Sequence, residues 1–168
     1  KSKPERTAII LRYFNPIGAH PKKLIGEEPV DVPENLVPVL VQAAAGRIPK
    51  LLVFGNDLPT RDGTGERDFV HVMDIARAHI LAIKYFHRVR KNLILNLGTG
   101  NGTTVFELIK IFESITGKKV PTKVVLPREG DIPISFSSGK KAKKILGWEP
   151  KYSLEEMLKD AWEREKSI

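Results

Sequence analysis

Apolar residues fall along the chain in two rhythms, short strand-length runs and longer stretches at helical spacing, and the two take turns. Thr7 to Tyr13 reads as a buried strand that ends in a loop, Asn15 to Pro33, rich in Gly, Pro and charge. Pro33 to Gly46 reads as a helix with Leu36, Val37, Leu40, Val41 and Ala44 on one side, widened by Val39 and Ala43, and with Gly46 as its stop. Leu51 to Phe54 is a short strand, followed by the long Gly55 to Gly65 loop and a strand at Asp68 to Val72. Asp74 is placed to cap a helix running to about Phe86, with Ile75, Ala78, Ala82 and Phe86 along one stripe. Leu93 to Leu97 is a second buried strand, which Gly98-Thr99-Gly100-Asn101-Gly102 turns into a helix with Val105, Leu108, Ile109 and Phe112 inward and Gly117 at its close. Val120 to Leu126 reads as the last strand. Ser153-Leu154-Glu155-Glu156 is a capping box opening a terminal helix, whose Leu154, Met157, Leu158, Ala161 and Trp162 form a docking stripe. Strand and helix alternate, so the expected class is α/β.

One stretch says more than the others. In RDGTGERDFVHVMD, residues 61 to 74, strand alternation puts Arg67, Phe69 and His71 on one face and Asp68, Val70 and Val72 on the other. Arg67 thus leaves a fixed strand, where a planar five-donor fork can be aimed at a phosphate or carboxylate. The preceding Asp62-Gly63 and Gly65 supply turn chemistry that can bring backbone close to a ligand.

Composition narrows the picture. The chain has 168 residues, 41% of them hydrophobic, which allows one core or two lobes, and no run approaches the length of a membrane span. It opens on Lys1, and KSKPER leads straight into Ile9 to Leu11 without a signal-peptide pattern, so it reads as an excised piece. Having no cysteine, it can form neither disulfides nor thiolate metal sites, in keeping with a cytoplasmic origin. His20, His71, His79 and His87 lack metal-ligand spacing, so no catalytic metal is expected. A net charge of +8 raises the question of nucleic acid. Lys140, Lys141, Lys143 and Lys144, however, share a short helix with core-facing Ala142, Ile145 and Leu146, which is the pattern of a solvated face, and no nucleic-acid-binding motif is present.

The candidate chemistry lies in a few residues. Gly98 to Gly102 after a strand suggests a dinucleotide turn, but the spacing Gly-x-Gly-x-Gly is wrong and no acidic ribose acceptor ends a second strand, so a tight structural turn is expected. Arg67 and Arg128, the latter within PREGD at 127 to 131, could clamp a nucleotide diphosphate from separate elements, with Asp131 accepting from ribose hydroxyls. The alternative for Arg128 and Asp131 is a surface ion pair. Asn15, at a strand end, can both donate to and accept from a sugar or phosphate. Asn35 and Leu36 open a helix whose free amide protons favour an anion, a role compatible with capping by Asn35. Short-chain hydride-transfer enzymes need a tyrosine with a lysine four residues later, which lowers the phenol's proton affinity. Tyr13, Tyr85 and Tyr152 are followed at that spacing by Ile17, Val89 and Glu156.

LRYFNPIGAH, IGEEP, FGNDLPTRDGTGERDFVHVMD, NLGTGNG, PREGD and ILGWEP together resemble, in order, the UDP-glucose 4-epimerases (UDP-galactose 4-epimerases) of the extended short-chain dehydrogenase superfamily. The likeness runs from about Thr7 to Trp162, and FGND with the DGTG insertion before RDFVHV is its specific part. It implies a carboxyl-terminal half spanning residues 1–168, a substrate lobe plus late strands and helices of a Rossmann-type NAD-binding sheet, with the amino-terminal NAD-binding half absent. In the family, bound NAD takes a hydride from C4 of the hexose, a tyrosine takes the hydroxyl proton, the 4-keto sugar turns over and hydride returns to the other face. By residue, the resemblance implies Phe14 near the nicotinamide and Asn15 on the substrate. It places Asn35 and Leu36 at the nucleotide-sugar and the backbone of Leu52, Val53 and Phe54 around uracil. Arg67 and Arg128 would hold the diphosphate, with Asp131 on the ribose.

Two positions depart from the commonest family pattern. Glu34 stands where asparagine is frequent, and Ser135 aligns with a hexose-pocket position often filled by a bulkier side chain, which leaves volume for an N-acetyl group. The isolated piece is expected to bind without turning over. Family members are commonly dimers through helices of the absent half, so a homodimer is an expectation for the intact protein alone. Other expectations to be weighed are a different NAD-dependent nucleotide-sugar enzyme, such as a dehydratase or decarboxylase, and a non-catalytic UDP-sugar-binding module. In the isolated piece, the strands at Thr7 to Tyr13 and Leu93 to Leu97 are expected to lack sheet partners and expose apolar edges.

Overall fold

The computed structural model describes residues 7–28 and 33–168. In chain order these form β1 (Ile9–Tyr13), β2 (Asn15–Ile17), α1 (Leu36–Ala44), β3 (Leu51–Phe54), β4 (Glu66–Arg67) and β5 (Phe69–His71). They continue with α2 (Val72–Tyr85), a 3-10 turn (Phe86–Arg88), β6 (Leu93–Leu97), β7 (Thr103–Thr104) and α3 (Val105–Thr116). The series ends with β8 (Thr122–Val125), β9 (Ile134–Ser135), α4 (Lys140–Leu146) and α5 (Leu154–Glu165). No helix among the described residues is long and apolar enough to cross a membrane.

The first strand changes partner part way along. β1 runs parallel to β6, with Ile10 opposite Ile94. At Phe14 the chain leaves that pair: the Phe14 N–H still donates to the Leu97 carbonyl at 3.2 Å, whereas the Asn15 N–H donates to Asp68 at 2.9 Å. From there β2 runs parallel to β5. The segment expected to loop from Asn15 therefore begins as a strand, because a second sheet offers it a partner. β1 is also only half-buried, with Ile10 42% exposed, since Ile9 and Leu11 pack on a core while Ile10 faces away. The two strands expected to lack partners supply each other, and what remains open is their outer face.

β5 divides its side chains between two cores. Phe69 packs with Ile17, Leu51, Val53 and the inward faces of α1, α3 and α5. Val70 packs with Leu95, Leu97, Trp148 and the inward faces of α2 and α4. The two-residue period of a strand is what allows one short element to serve both. β3 pairs in parallel with β8, and β4 lies between antiparallel β7 and parallel β9. The fold is α/β, as expected.

Helix ends follow local chemistry where the caps are local. α5 carries the Ser153–Glu156 capping box and buries Met157, Leu158 and Trp162 along the expected stripe. α3 has a second box, Thr104 with Glu107, and closes at Gly117, whose φ of +67° suits glycine. α4 keeps its lysines outward and buries Ala142 and Leu146.

Other expected boundaries shift for tertiary reasons. α1 begins at Leu36 instead of Pro33 because Asn35 is extended, with φ −77° and ψ 144°, and Pro38 fits the first turn, where its missing N–H is not needed. The cap of α2 is His71, whose Nδ1 accepts from the Met73 N–H at 3.0 Å. Val72 is helical as a result, and Asp74 does not cap. Asp74 instead lies buried in the first turn, accepting from the amides of Lys151 at 2.8 Å and Tyr152 at 3.3 Å and pairing with Arg77 at 2.9 Å. The Trp148 indole N–H donates to the Asp74 carbonyl at 2.8 Å. Phe86 falls in the 3-10 turn and is 50% exposed, so the α2 stripe stops at Ala82. β8 is shorter than the expected Val120 to Leu126, and it is not the last strand, since β9 joins the other side of β4.

Candidate functional site

A cleft of about 670 Å³ opens where the end of β3, the start of α1, strand β4 and the turn at 128–131 meet. That volume is within the usual range for a small-molecule site, about 300–1,000 Å³. A separate cavity of about 30 Å³ beneath Ala19 and Val41 has room for roughly one water.

Each wall has a structural cause. β3 points Val53 into the first core, leaving Leu52 41% exposed toward the cleft, and Phe54 ends the strand beside it. Arg128 comes from the opposite side, its guanidinium carbon 3.7 Å from the centre of the Phe54 ring. A cation that close to an aromatic face is held and partly desolvated without neutralising its charge. The expected alternative of an Arg128–Asp131 ion pair does not form; Asp131 instead approaches Arg67, with 4.0 Å between Nη2 and Oδ1. Arg67 enters from β4 and donates from Nη1 to the carbonyls of Ile132 at 2.7 Å and Glu66 at 3.0 Å. Phe69 shares its wall, as strand alternation predicts.

At the far side the first turn of α1 has no side-chain cap, and the Asn35 side-chain amide donates to Glu27 at 3.2 Å. The end of α1 that carries partial positive charge therefore faces the cleft through Asn35 and Leu36. Asn15 completes the wall from β2, and the charged lining balances Lys50, Arg67 and Arg128 against Glu34 and Asp131. The arrangement suits an anion with an attached flat, hydrogen-bonding group.

The cleft thus brings together Asn15, Asn35, Leu36, Leu52, Val53, Phe54, Arg67, Arg128 and Asp131. Phe14 and Ser135 do not line it. Phe14 is half-buried at the crossing from β1 to β2, and Ser135 pairs with Arg67 in the β4–β9 ladder. Sequence reasoning read Val105 as an inward residue of α3 without assigning it to the cleft, and did not single out Ile48 or Lys50, which nothing local marks.

The Gly98–Gly102 turn has a different role. Buried Asp68 accepts from the Thr99 N–H at 2.8 Å, the Thr99 hydroxyl at 2.6 Å, the Gly100 N–H at 3.0 Å and the Ser137 N–H at 3.2 Å. Those amides are already committed to a carboxylate, so this turn does not fit a dinucleotide pyrophosphate. A Cβ on Gly98 would lie 2.4 Å from Asp68 Oδ2, which accounts for glycine there.

Fold and cleft define an α/β protein with parallel strand pairs and an arginine-lined cleft at strand and helix ends. Residues 3–161 match the family model described as GDP-mannose 4,6 dehydratase, and the chain belongs to that family. It is 48% identical over 162 residues to UDP-glucose 4-epimerase 4 of Oryza sativa subsp. japonica, covering 96% of this chain and 44% of the relative. It is 48% identical to UDP-glucose 4-epimerase of Bacillus subtilis (strain 168), covering 94% of this chain and 47% of that protein. Among solved structures, UDP-glucose-4-epimerase from Stenotrophomonas maltophila with bound NAD and formylated UDP-arabinopyranose superposes with a TM-score of 0.92 at 48% identity, over 95% of this chain and 47% of that one. The Bifidobacterium longum UDP-glucose 4-epimerase in complex with NAD+ and UDP also has a TM-score of 0.92, at 37% identity, over 98% of this chain and 49% of that one. The chain spans about half the length of the relatives it matches, and its fold is of the Rossmann type found in those structures.

Proposed function

We propose that this chain carries the UDP-sugar site of a UDP-glucose 4-epimerase, an NAD-dependent isomerase interconverting UDP-glucose and UDP-galactose through a 4-keto intermediate. The observation that carries the reading is the meeting of Arg67 and Arg128, from elements more than fifty residues apart, on one cleft beside the exposed edge of β3. Relatives named UDP-glucose 4-epimerase at 46–48% identity support it. In this reading the two guanidinium groups hold the diphosphate, Asp131 accepts from the ribose, and the backbone of Leu52, Val53 and Phe54 faces uracil. Asn35 and Leu36 meet the nucleotide-sugar, Asn15 meets the substrate, and Ser135, outside the cleft's lining but opposite Arg67 in the β4–β9 ladder, is assigned to the hexose pocket.

Only Phe14, at the end of β1, is assigned to NAD. The Asp68-bound turn does not fit the cofactor's phosphates, so the reading places them on an amino-terminal half, with residues 1–168 as the carboxyl-terminal part. By itself the chain binds and orients the nucleotide-sugar without turning it over, because no tyrosine–lysine dyad is present. The intact protein is assigned to the cytoplasm, in keeping with the absence of cysteine from these 168 residues, and as a homodimer through the other half.

UDP titration tests the cleft. Binding by the chain with a loss of roughly ten- to a hundredfold in Arg67→Ala is expected, the scale of a lost charge-assisted contact. A chain that ignores UDP overturns the reading. The dehydratase description of the family model favours a second reading, a dehydratase as the intact protein; product analysis separates 4-epimer from loss of water. Mixing the chain with an NAD-binding half and assaying epimerase activity separates a working enzyme half from a binding module. The small side chain of Ser135 further suggests that UDP-N-acetyl hexosamines are accepted, and background-level turnover of UDP-N-acetylglucosamine by an intact enzyme active on UDP-glucose would reject that.

A further inference from the structure

Outside the cleft's lining, a charged cluster ties the Gly55–Gly65 loop to the amino end of α3. Arg61 grips Glu107 with both prongs, Nε to Oε1 at 2.8 Å and Nη2 to Oε2 at 2.7 Å. It reaches two further elements, donating to Glu66 at 3.1 Å and to the Gly102 carbonyl at 3.0 Å. Glu66 is buried, at 6% exposure, and is the residue before Arg67 on β4. A Cβ on Gly102 would lie 2.0 Å from Glu66 Oε1, so this contact requires glycine.

The rest of the loop is fastened to the same place. Asp62 accepts from the Thr64 N–H at 2.9 Å and from the hydroxyls of Thr64 and Thr104. Fully buried Thr64 in turn accepts from the Val105 N–H at 3.0 Å, and Val105 lines the cleft. Gly63, at φ +83°, closes the neck of the loop, where a Cβ would sit 1.9 Å from the Asn56 carbonyl oxygen.

We infer that Arg61 is a positioning residue for the cleft: by locking β4 and the Gly55–Gly65 loop to α3, it aims the Arg67 guanidinium at the diphosphate of a bound nucleotide. The inference rests on the reading of the cleft as a UDP-sugar site. The side chains of Arg61 and Glu107 are 52% and 39% exposed, so their ion pair adds little to global stability. What a two-pronged pair supplies is direction. The hydrogen bond from Arg61 holds the Glu107 carboxyl down to about 2, so the pair stays ionised at neutral pH.

The test uses the full chain, with UDP and uridine as probes and circular dichroism to check folding. Arg61→Ala is expected to weaken UDP binding roughly tenfold while changing uridine binding less than about twofold, since only the diphosphate depends on Arg67. Glu107→Gln, which keeps the side-chain acceptor for the Thr104 amide but loses the ionic grip, is expected to share the loss. The double variant Arg61→Ala/Arg67→Ala is expected to bind no worse than Arg67→Ala alone, because both changes remove one interaction. Unchanged UDP affinity in Arg61→Ala and Glu107→Gln, equal losses for UDP and uridine, or additive losses in the double variant would each overturn the inference while leaving the cleft intact. A parent chain that does not bind UDP overturns both.

Discussion

The two cores differ in how completely they are covered. The first is enclosed by α1, α3 and α5 and forms the floor of the cleft through Leu51, Val53 and Phe69. The second has α2 and α4 on one face of the β1–β6 pair, while Ile10 and Ile94 on the other remain 42% and 37% exposed. An apolar sheet face of this kind is normally covered by a further layer. The lesson is that the two lobes are not equally self-sufficient: the lobe that forms the cleft has its own enclosed core, whereas the other leaves an apolar sheet face open.

Core truncations give the largest effects and probe both sides of that contrast. Trp148→Ala, which empties a fully buried site and removes the indole's hydrogen bond to the Asp74 carbonyl, is expected to cost about 3–5 kcal/mol in urea melts. Leu158→Ala in the first core is expected to cost about 2–5 kcal/mol in the same assay. The chain's two tryptophans fall one in each core, so Trp148→Phe and Trp162→Phe leave a reporter in each. The second core is expected to melt at lower urea than the first; coincident fluorescence transitions would break the contrast.

A smaller effect comes from His71, which sits between the lobes, stacked 4.0 Å from Tyr152 and with Nε2 3.2 Å from Asp160. Its Nδ1 accepts from Met73, so the neutral ring carries its proton on Nε2. Burial holds the imidazole below its ordinary 6.5, with the Asp160 hydrogen bond and the charges of Asp160, Asp74 and Glu156 opposing without prevailing. Below about pH 6.5 the unfolded chain therefore binds a proton that the folded chain resists, and stability falls as pH drops from there toward the folded value. Urea midpoints at several pH values should show that decline, and His71→Gln should flatten it. The smallest effect is expected on the open face, where Ile10→Lys changes the stability of this chain by less than about 0.5 kcal/mol. A large loss there would show the face to be covered.

Elements with local instructions were legible in advance. The terminal helix was evident from Ser153, Glu156 and the spacing of Met157, Leu158 and Trp162, because a cap and a helical stripe need only residues within a few turns. The shared face of Arg67 and Phe69 followed from strand period alone. The exchange of partners at Phe14 was not legible, since it depends on β5 and β6, which lie far along the chain. Nor was Asp68, whose partners at Thr99, Gly100 and Ser137 give no signal near it, or His71 as a cap, because its neighbour Asp74 is the better cap by propensity.

By itself, the sequence determined the α/β alternation, the faces its helices bury and the residue types able to grip an anion, all consequences of short-range periodicity and side-chain chemistry. Tertiary structure alone decided that Arg128 stacks on Phe54 instead of pairing with Asp131, that Arg61 braces the strand carrying Arg67, and that the two faces of β5 serve different cores. Those outcomes depend on which distant groups satisfy one another once water is excluded, and that competition is settled only when the whole chain packs.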